Sequence, residues 1–372
     1  MIDKKNFANF DFPLLIVTIF LSIIGIFAVY QASNSHYLKM QSLWFIIGLG
    51  VMAVVIYFDY KDFKSIIYLI YGANILLLLS VMFFGKASLG AQRWIQIGAF
   101  RLQPSEFAKV AIIITLSYLM SREELQINSL LDLIRPGIHV AVPMVLIFLQ
   151  PDLGTSLVFI AIMAGMLFVA GLKWRHIVLL GILGVLTSIF AYYKVLEEYQ
   201  INRLIAFTDP FKYYHTIGFQ IVQSLIAIGS GGIWGNWFTG SNPRYDRIIP
   251  YDITDHGFVP EPHTDFIFSV IGEKFGLIGT TIVLMLFLFM IYRILQIALT
   301  ASDEFGTFIC VGVASMLAFQ ILVNVGMTLS IMPVTGLPLP FISYGGSNFL
   351  SNCIAIGLVL NVALRRERDT IF

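Results

Sequence analysis

The chain has 372 residues, of which 58% are hydrophobic and only 12% charged, and its mean hydropathy is +0.84. Soluble domains carry about 25% charged residues, so this composition excludes an ordinary soluble enzyme and defines an integral membrane protein. A net charge of +1, with no basic run longer than Arg365-Arg366, gives no sign of a nucleic-acid partner, and none is expected.

An apolar run of roughly 17 to 25 residues is needed to cross a bilayer. Such runs lie near 12–31, 42–58, 65–84, 105–120, 137–150, 153–170, 176–193, 265–293, 306–328 and 346–364. They predict an all-α polytopic bundle of about ten transmembrane helices in a single domain, 1–372, with a large loop at about 194–264 between helices 7 and 8. The fifth run is short and the eighth long. The first follows Lys4-Lys5, but it is too long for a cleaved signal and lacks a small-residue cleavage site, so it is expected to stay as an anchor. Cys310 and Cys353 lie in apolar runs and read as small core residues rather than a disulfide.

The short loops on the side of the N-terminus hold Lys4, Lys5, Lys61, Lys64, Arg122, Arg135, Lys173, Arg175, Arg293, Arg365, Arg366 and Arg368. Those on the other side hold Lys39, Lys86, Arg93 and Arg101. The positive-inside rule then predicts cytoplasmic termini, with 85–104, 194–264 and 329–345 extracytoplasmic.

Four polar stretches stand on that outer side. In "RWIQIGAFRLQPSEFAK", 93–109, Pro104 and Ser105 suit a helix start. Glu106 and Lys109 follow at i,i+3 spacing inside the span; such charges need a partner, as a structural ion pair or as a phosphate site. In "LQPDLGTS", 149–156, Pro151 and Gly154 make a turn, while Asp152 and the Thr155 and Ser156 hydroxyls open the next helix, for which a structural role is the stronger reading. "EPHTDFIF", 261–268, sets Glu261, His263 and Asp265 before a nearly unbroken apolar run, where Asp265 with Thr264 is also suited to capping helix 8. "MPVTGLPLPFISYGGSN", 332–348, has too many prolines and glycines for a regular helix. Broken backbone at membrane depth is tolerated where it lines a wet cavity.

"QPSEFAK", "QPDLGTS", "PHTDFIF" and "LPFISYGGS" resemble the signature segments of the SEDS family (shape, elongation, division and sporulation), in the family's order over essentially the whole chain. The compact length and "YQAS" after the first span resemble the elongation branch more than the division branch. The resemblance implies a peptidoglycan glycosyltransferase that polymerises lipid II at the outer face of the bacterial cytoplasmic membrane, releasing undecaprenyl pyrophosphate. It also implies a class B penicillin-binding protein as partner, together with other membrane proteins of the elongation complex. The acid of the "HTDF" segment, here Asp265, is the implied catalytic residue. Two departures stand out: Lys274 occupies a position where the family often has a second acid, and the stretch between Gly240 and Val259 is longer and more charged than usual.

This chemistry needs a carboxylate to take the proton of an acceptor sugar hydroxyl as it attacks an anomeric carbon. Positive charge must meet the leaving pyrophosphate, and Arg93, Lys109 and Arg203 are the candidates, with Arg101 read as an interfacial anchor. Gln103, Ser105, Glu106, Asp152, Thr155, His263, Ser343, Gly345 and Gly346 complete the expected substrate-binding set, with the role of His263 left open. No D-x-D motif is present, which fits a lipid-linked donor, and a divalent cation, magnesium or manganese, stays open. Glu273, deeper in helix 8, is expected to pair with a cation. The alternatives are a lipid II flippase or other transporter, a division-type paralogue, and a non-enzymatic scaffold. Transport would place essential charges through the midplane and on both faces, whereas here the unusual segments gather on one side.

Overall fold

The computed structural model describes residues 9–33, 35–88, 91–98, 100–122, 129–239 and 263–366. Glu261, the stretch 240–259 and the cations Lys4, Lys5 and Arg368 lie outside them. Each of the ten expected spans is a helix: α1 (Phe12–Ala32), α2 (Ser35–Tyr57), α3 (Ile67–Phe84), α4 (Pro104–Met120), α5 (Ile134–Phe148), α6 (Leu153–Val169), α7 (Trp174–Lys194), then α11 (Ile267–Leu299), α12 (Glu304–Thr328) and α13 (Gly346–Leu364). Eight helices among the described residues are long and apolar enough to cross a membrane, two of them counted with the 3-10 turns at Tyr60–Ile66 and Leu130–Leu133. Burial follows position in the bundle. α12 and α13 are buried along most of their length, whereas no residue of α7 is buried.

Local chemistry sets the ends of these helices. Asp11 caps α1 by accepting from the Leu14 amide at 3.0 Å and is clamped by Arg293 near the end of α11. Asp303 caps α12 through the Gly306 amide at 2.9 Å, pairs with Lys64 at 2.9 Å and accepts from the Tyr60 hydroxyl at 2.7 Å. Cys310 and Cys353 are buried free thiols, as expected of core residues.

Three features depart from the sequence reading. A small antiparallel sheet, β1 (Lys86–Ser88), β2 (Ala91–Ile97) and β3 (Phe100–Leu102), precedes α4, with Ile95 opposite Leu102 and Gln96 opposite Arg101. The first part of the expected long loop is folded: α8 (Glu198–Thr208), α9 (Phe219–Gly231) and the short α10 (Asn236–Thr239) occupy it. α8 is amphipathic and opens with a capping box between Glu197 and Gln200. Both α8 and α9 are shorter than a span, so a search for spans passes over them.

The third departure is in helix 8, which the sequence presents as one long apolar run. α11 breaks at Gly276, where φ is 64° and ψ is −158°. The amides freed by the break are taken by the turn after α9: Leu277 N donates to Gly232 O at 2.9 Å and Ile278 N to Ile233 O at 3.2 Å. A break in an apolar helix is tolerated when neighbouring protein satisfies its backbone in this way. A Cβ on residue 276 would lie 2.5 Å from Gly235 N and 2.6 Å from Ile233 O.

Gly276→Ala is therefore expected to cost at least about 1–3 kcal/mol from the positive φ alone, read as a lower melting temperature of the purified protein in detergent. Gly72→Ala, where an added Cβ meets nothing within 4 Å, is expected to leave the melting temperature unchanged or slightly raised. Equal melting of the two variants would refute this account of the break.

Candidate active site

The polar stretches meet in one cavity of about 400 Å³ where α4, α6 and α13 begin, close to the start of α11. Asp265, Arg93, Arg203, Gln103, Glu106, Asp152, Thr155 and Gly345 all line it. So do Trp94, Tyr199, Thr264, Gly336, Pro338, Tyr344, Ser347 and Asn348, which the sequence reading did not single out for the site.

Asp265 is positioned through its backbone. The Asn324 side-chain amide, on α12, donates to the Asp265 carbonyl at 2.8 Å and to the Leu337 carbonyl at 2.7 Å. The buried Ser343 hydroxyl donates to the Thr264 carbonyl at 2.6 Å and accepts the Leu339 amide at 2.8 Å. The Tyr344 amide donates to His263 O at 2.8 Å. Residues 263–265 and the broken segment 337–344 are thus laced together, and the irregular backbone expected of the latter is present. Gly336 completes the arrangement with φ +76°: a Cβ there would stand 3.3 Å from Asp265 Oδ2 and 3.6 Å from an Arg203 terminal nitrogen. The carboxylate and the guanidinium therefore approach the same small space.

The expected capping role of Asp265 is corrected. α11 begins at Ile267 with Phe266 at its N-cap, a residue with no capping oxygen, so Asp265 lies outside the helix.

Across the cavity, Asp152 caps α6, accepting from the Thr155 amide at 3.2 Å and the Thr155 hydroxyl at 2.9 Å. The same carboxylate takes longer contacts, both 3.4 Å, from Gln103 Nε2 and Ser105 Oγ, and Arg93 stands 3.8 Å away. Arg93 also donates to the Gln150 carbonyl at 3.2 Å and reaches the Tyr199 hydroxyl at 3.5 Å. Tyr199 donates to the Pro151 carbonyl at 2.7 Å, and its ring lies under the Arg203 guanidinium, 5.7 Å from ring centroid to Cζ. Burial pushes the Tyr199 hydroxyl's pKa up, an effect Arg93 partly offsets, so the phenol stays protonated as a donor.

Other expected site residues stand behind this lining. Lys109 is fully buried and pairs with Glu106 at 2.9 Å, and Glu106 also accepts from Ser351 of α13 at 3.2 Å. His263 is buried against the rings of Tyr37 and Tyr344, at centroid distances of 4.4 and 5.6 Å. Gly346 opens α13 against Trp44. Glu273 pairs with the neighbouring Lys274 at 2.8 Å, well inside α11. Arg101 lies on the exposed strand β3. Tyr199 was legible only as the residue four before Arg203, one helical turn away on the same face.

Fold and site together define a polytopic helical membrane protein with a charged chamber at an end of its bundle. The model of the cell cycle protein family FTSW_RODA_SPOVE matches residues 8–368. The chain belongs to this family, the SEDS family. The probable peptidoglycan glycosyltransferase FtsW of Geobacter metallireducens is 35% identical, with 98% of each chain covered. Stage V sporulation protein E of Bacillus subtilis is 35% identical over 95% of this chain and 96% of its own. Peptidoglycan glycosyltransferase RodA of Treponema pallidum is 33% identical over 97% and 99%. Among solved structures, a chain of a peptidoglycan synthase complex that coordinates polymerization and crosslinking matches with a TM-score of 0.81 at 29% identity, covering 97% of this chain and 99% of that one. The crystal structure of Thermus thermophilus RodA matches with a TM-score of 0.71 at 28% identity, covering 97% and 98%.

Removing one member of the Glu106–Lys109 pair leaves an uncompensated buried charge, which costs about 3–5 kcal/mol. Lys109→Met and Glu106→Gln are each expected to lower the melting temperature sharply. The double variant is expected to recover part of that loss, because no lone charge is left. Single variants that melt like the parent would show that the pair is not coupled.

Proposed function

We propose that this protein is a peptidoglycan glycosyltransferase that polymerises lipid II into glycan strands during cell elongation, with release of undecaprenyl pyrophosphate. The observation that carries the reading is the convergence of the Asp265 carboxylate and the Arg203 guanidinium above Gly336. Arg93 and its partner Asp152 line the same cavity. A base and a paired-cation wall are what this reaction requires. The acceptor hydroxyl oxygen attacks the anomeric carbon of the donor, the bond from that carbon to the pyrophosphate breaks, and the leaving group takes the electron pair. Asp265 accepts the hydroxyl proton, a role typically worth about 10²- to 10⁴-fold in rate. Arg203 and Arg93 meet the charge that develops on the pyrophosphate, where a planar guanidinium offers paired donors.

Magnesium or manganese belongs to the proposal as a companion of the pyrophosphate. Among the described residues no group of three His, Cys, Asp or Glu side chains could hold such an ion. Phosphate oxygens and water would supply its ligands, with Asp265 left to act as the base. The distribution of Lys and Arg over the short loops supports the outer face of the cytoplasmic membrane as the side of the chamber. The likeness to a chain of a synthase complex supports a class B penicillin-binding protein as partner.

The elongation role rests on the motif resemblance and on the likeness to RodA structures. Relatives named FtsW at 35% identity favour a division role as the second reading. Depletion in the source cell separates the two: rounding of the cells supports elongation, and filaments without septa support division.

Asp265→Asn is expected to lower polymerisation of labelled lipid II by at least about a hundredfold in a purified system with the partner present. Its melting temperature is expected to hold, since Asn is nearly isosteric. Glu273→Gln, altering an acid already paired with Lys274, is expected to stay near normal. Near-normal activity of Asp265→Asn beside an inactive Glu273→Gln would move the site down the helix. For orientation, a cysteine at exposed Gly98 is expected to react with an impermeant maleimide added outside, and one at Arg366 is not. The opposite labelling would place the chamber in the cytoplasm.

A further inference from the structure

Arg93 and Arg203 reach the cavity from separate parts of the chain, β2 and α8. Two like charges on long side chains repel and do not hold a fixed spacing unless something fixes both. Tyr199 touches both. Its hydroxyl stands 3.5 Å from Arg93, its ring lies beneath Arg203, and its donated hydrogen bond to the Pro151 carbonyl, 2.7 Å long, ties α8 to the α5–α6 turn. That turn also holds Arg93, through Gln150 O and Asp152. The same three side chains border a second cavity of about 110 Å³, whose wall includes Leu153, Leu157 and Leu204. A charged face backed by an apolar recess suits a pyrophosphate that continues into a prenyl chain.

We infer that Tyr199 is a positioning residue that sets Arg93 and Arg203 as one binding unit for the pyrophosphate of the lipid-linked substrate. The inference rests on the glycosyltransferase reading and deepens it. Tyr199 takes no proton in the reaction. Its hydroxyl fixes Arg93, its ring supports Arg203, and both are in place before the substrate arrives, so its contribution falls on binding of the anionic group.

The test compares Tyr199→Phe, which keeps the ring and loses the hydroxyl, with Tyr199→Leu, which loses both. Farnesyl pyrophosphate binding by calorimetry and lipid II polymerisation with the partner are measured on each. Loss of one hydrogen bond to a charged group corresponds to about tenfold in affinity. Tyr199→Phe is accordingly expected to weaken farnesyl pyrophosphate binding and raise KM by about fivefold to tenfold, with kcat within about twofold. Tyr199→Leu is expected to lose more on both measures. On an Arg93→Lys background, Tyr199→Phe is expected to add little, because the two act together.

Unchanged affinity and KM in Tyr199→Phe would overturn the inference. So would a fall in kcat alone, full additivity with Arg93→Lys, or loss of a cooperative melting transition in Tyr199→Phe, which would make the hydroxyl structural. A parent protein that neither binds farnesyl pyrophosphate nor polymerises lipid II would overturn the reading of the chamber itself. A parent that does both, beside an indifferent Tyr199→Phe, would overturn the Tyr199 assignment alone.

Discussion

The Asp152 carboxylate is the contact on which the chamber depends. It caps α6, accepts from Thr155, Gln103 and Ser105, and faces Arg93, so the start of α6 meets the hairpin and the start of α4, some fifty residues earlier, at one buried anion. A buried carboxylate is costly unless its oxygens are met by donors and charge. Those donors come from the start of α4, the start of α6 and the hairpin before α4, and satisfying Asp152 therefore fixes the relative positions of all three. The structural role expected of Asp152 is present, and the same carboxylate lines the cavity. The residue builds the wall by capping the helix.

On the opposite wall the device differs. Asp265 is held by main-chain contacts, from Asn324 to its own carbonyl, from Ser343 to Thr264 and from Tyr344 to His263. Its position is thus set by atoms that take no part in binding a proton. Segments without helical structure normally leave backbone groups unsatisfied at membrane depth. Here buried Asn324 and Ser343 serve them, and the prolines and glycines of 332–348 become an asset: the backbone of Gly336 comes close to Asp265 without a side chain in the way.

Much of this was legible in the chain. Spans announce themselves through apolar length, and all ten appear as helices, eight of them long and apolar enough to cross a membrane, because a helix surrounded by lipid or by other helices needs little else. The i,i+3 spacing of Glu106 and Lys109 foretold their pairing, and the four polar stretches foretold a shared site. What escaped was encoded in signals that length and hydropathy do not carry. α2 begins at Ser35, seven residues before the apolar run, because "SHYLKMQ" can continue a helix while remaining polar. The strands around Arg93 are short, α8 is amphipathic and only eleven residues long, and a single glycine in an apolar run gives no hint of φ +64° at Gly276. Tyr199 was hidden for a related reason: its partners, Pro151 and Arg93, lie 48 and 106 residues away.

The burial of Glu106 and Lys109 also bears on what holds α4 in the bundle. α4 has 17 residues and falls outside the helices long and apolar enough to cross a membrane. Charges carried into a membrane-spanning helix are costly, and pairing within the helix offsets only part of that for two groups exposed to lipid. The surroundings that shelter the pair include α12 and α13, and the Ser351 hydroxyl bonded to Glu106 belongs to α13. α4 is therefore lodged by its neighbours, with most of its residues buried, more than by its own hydropathy. The part of the chamber wall that Glu106 forms therefore depends on α13 being packed beside α4, although the two helices lie far apart in the chain.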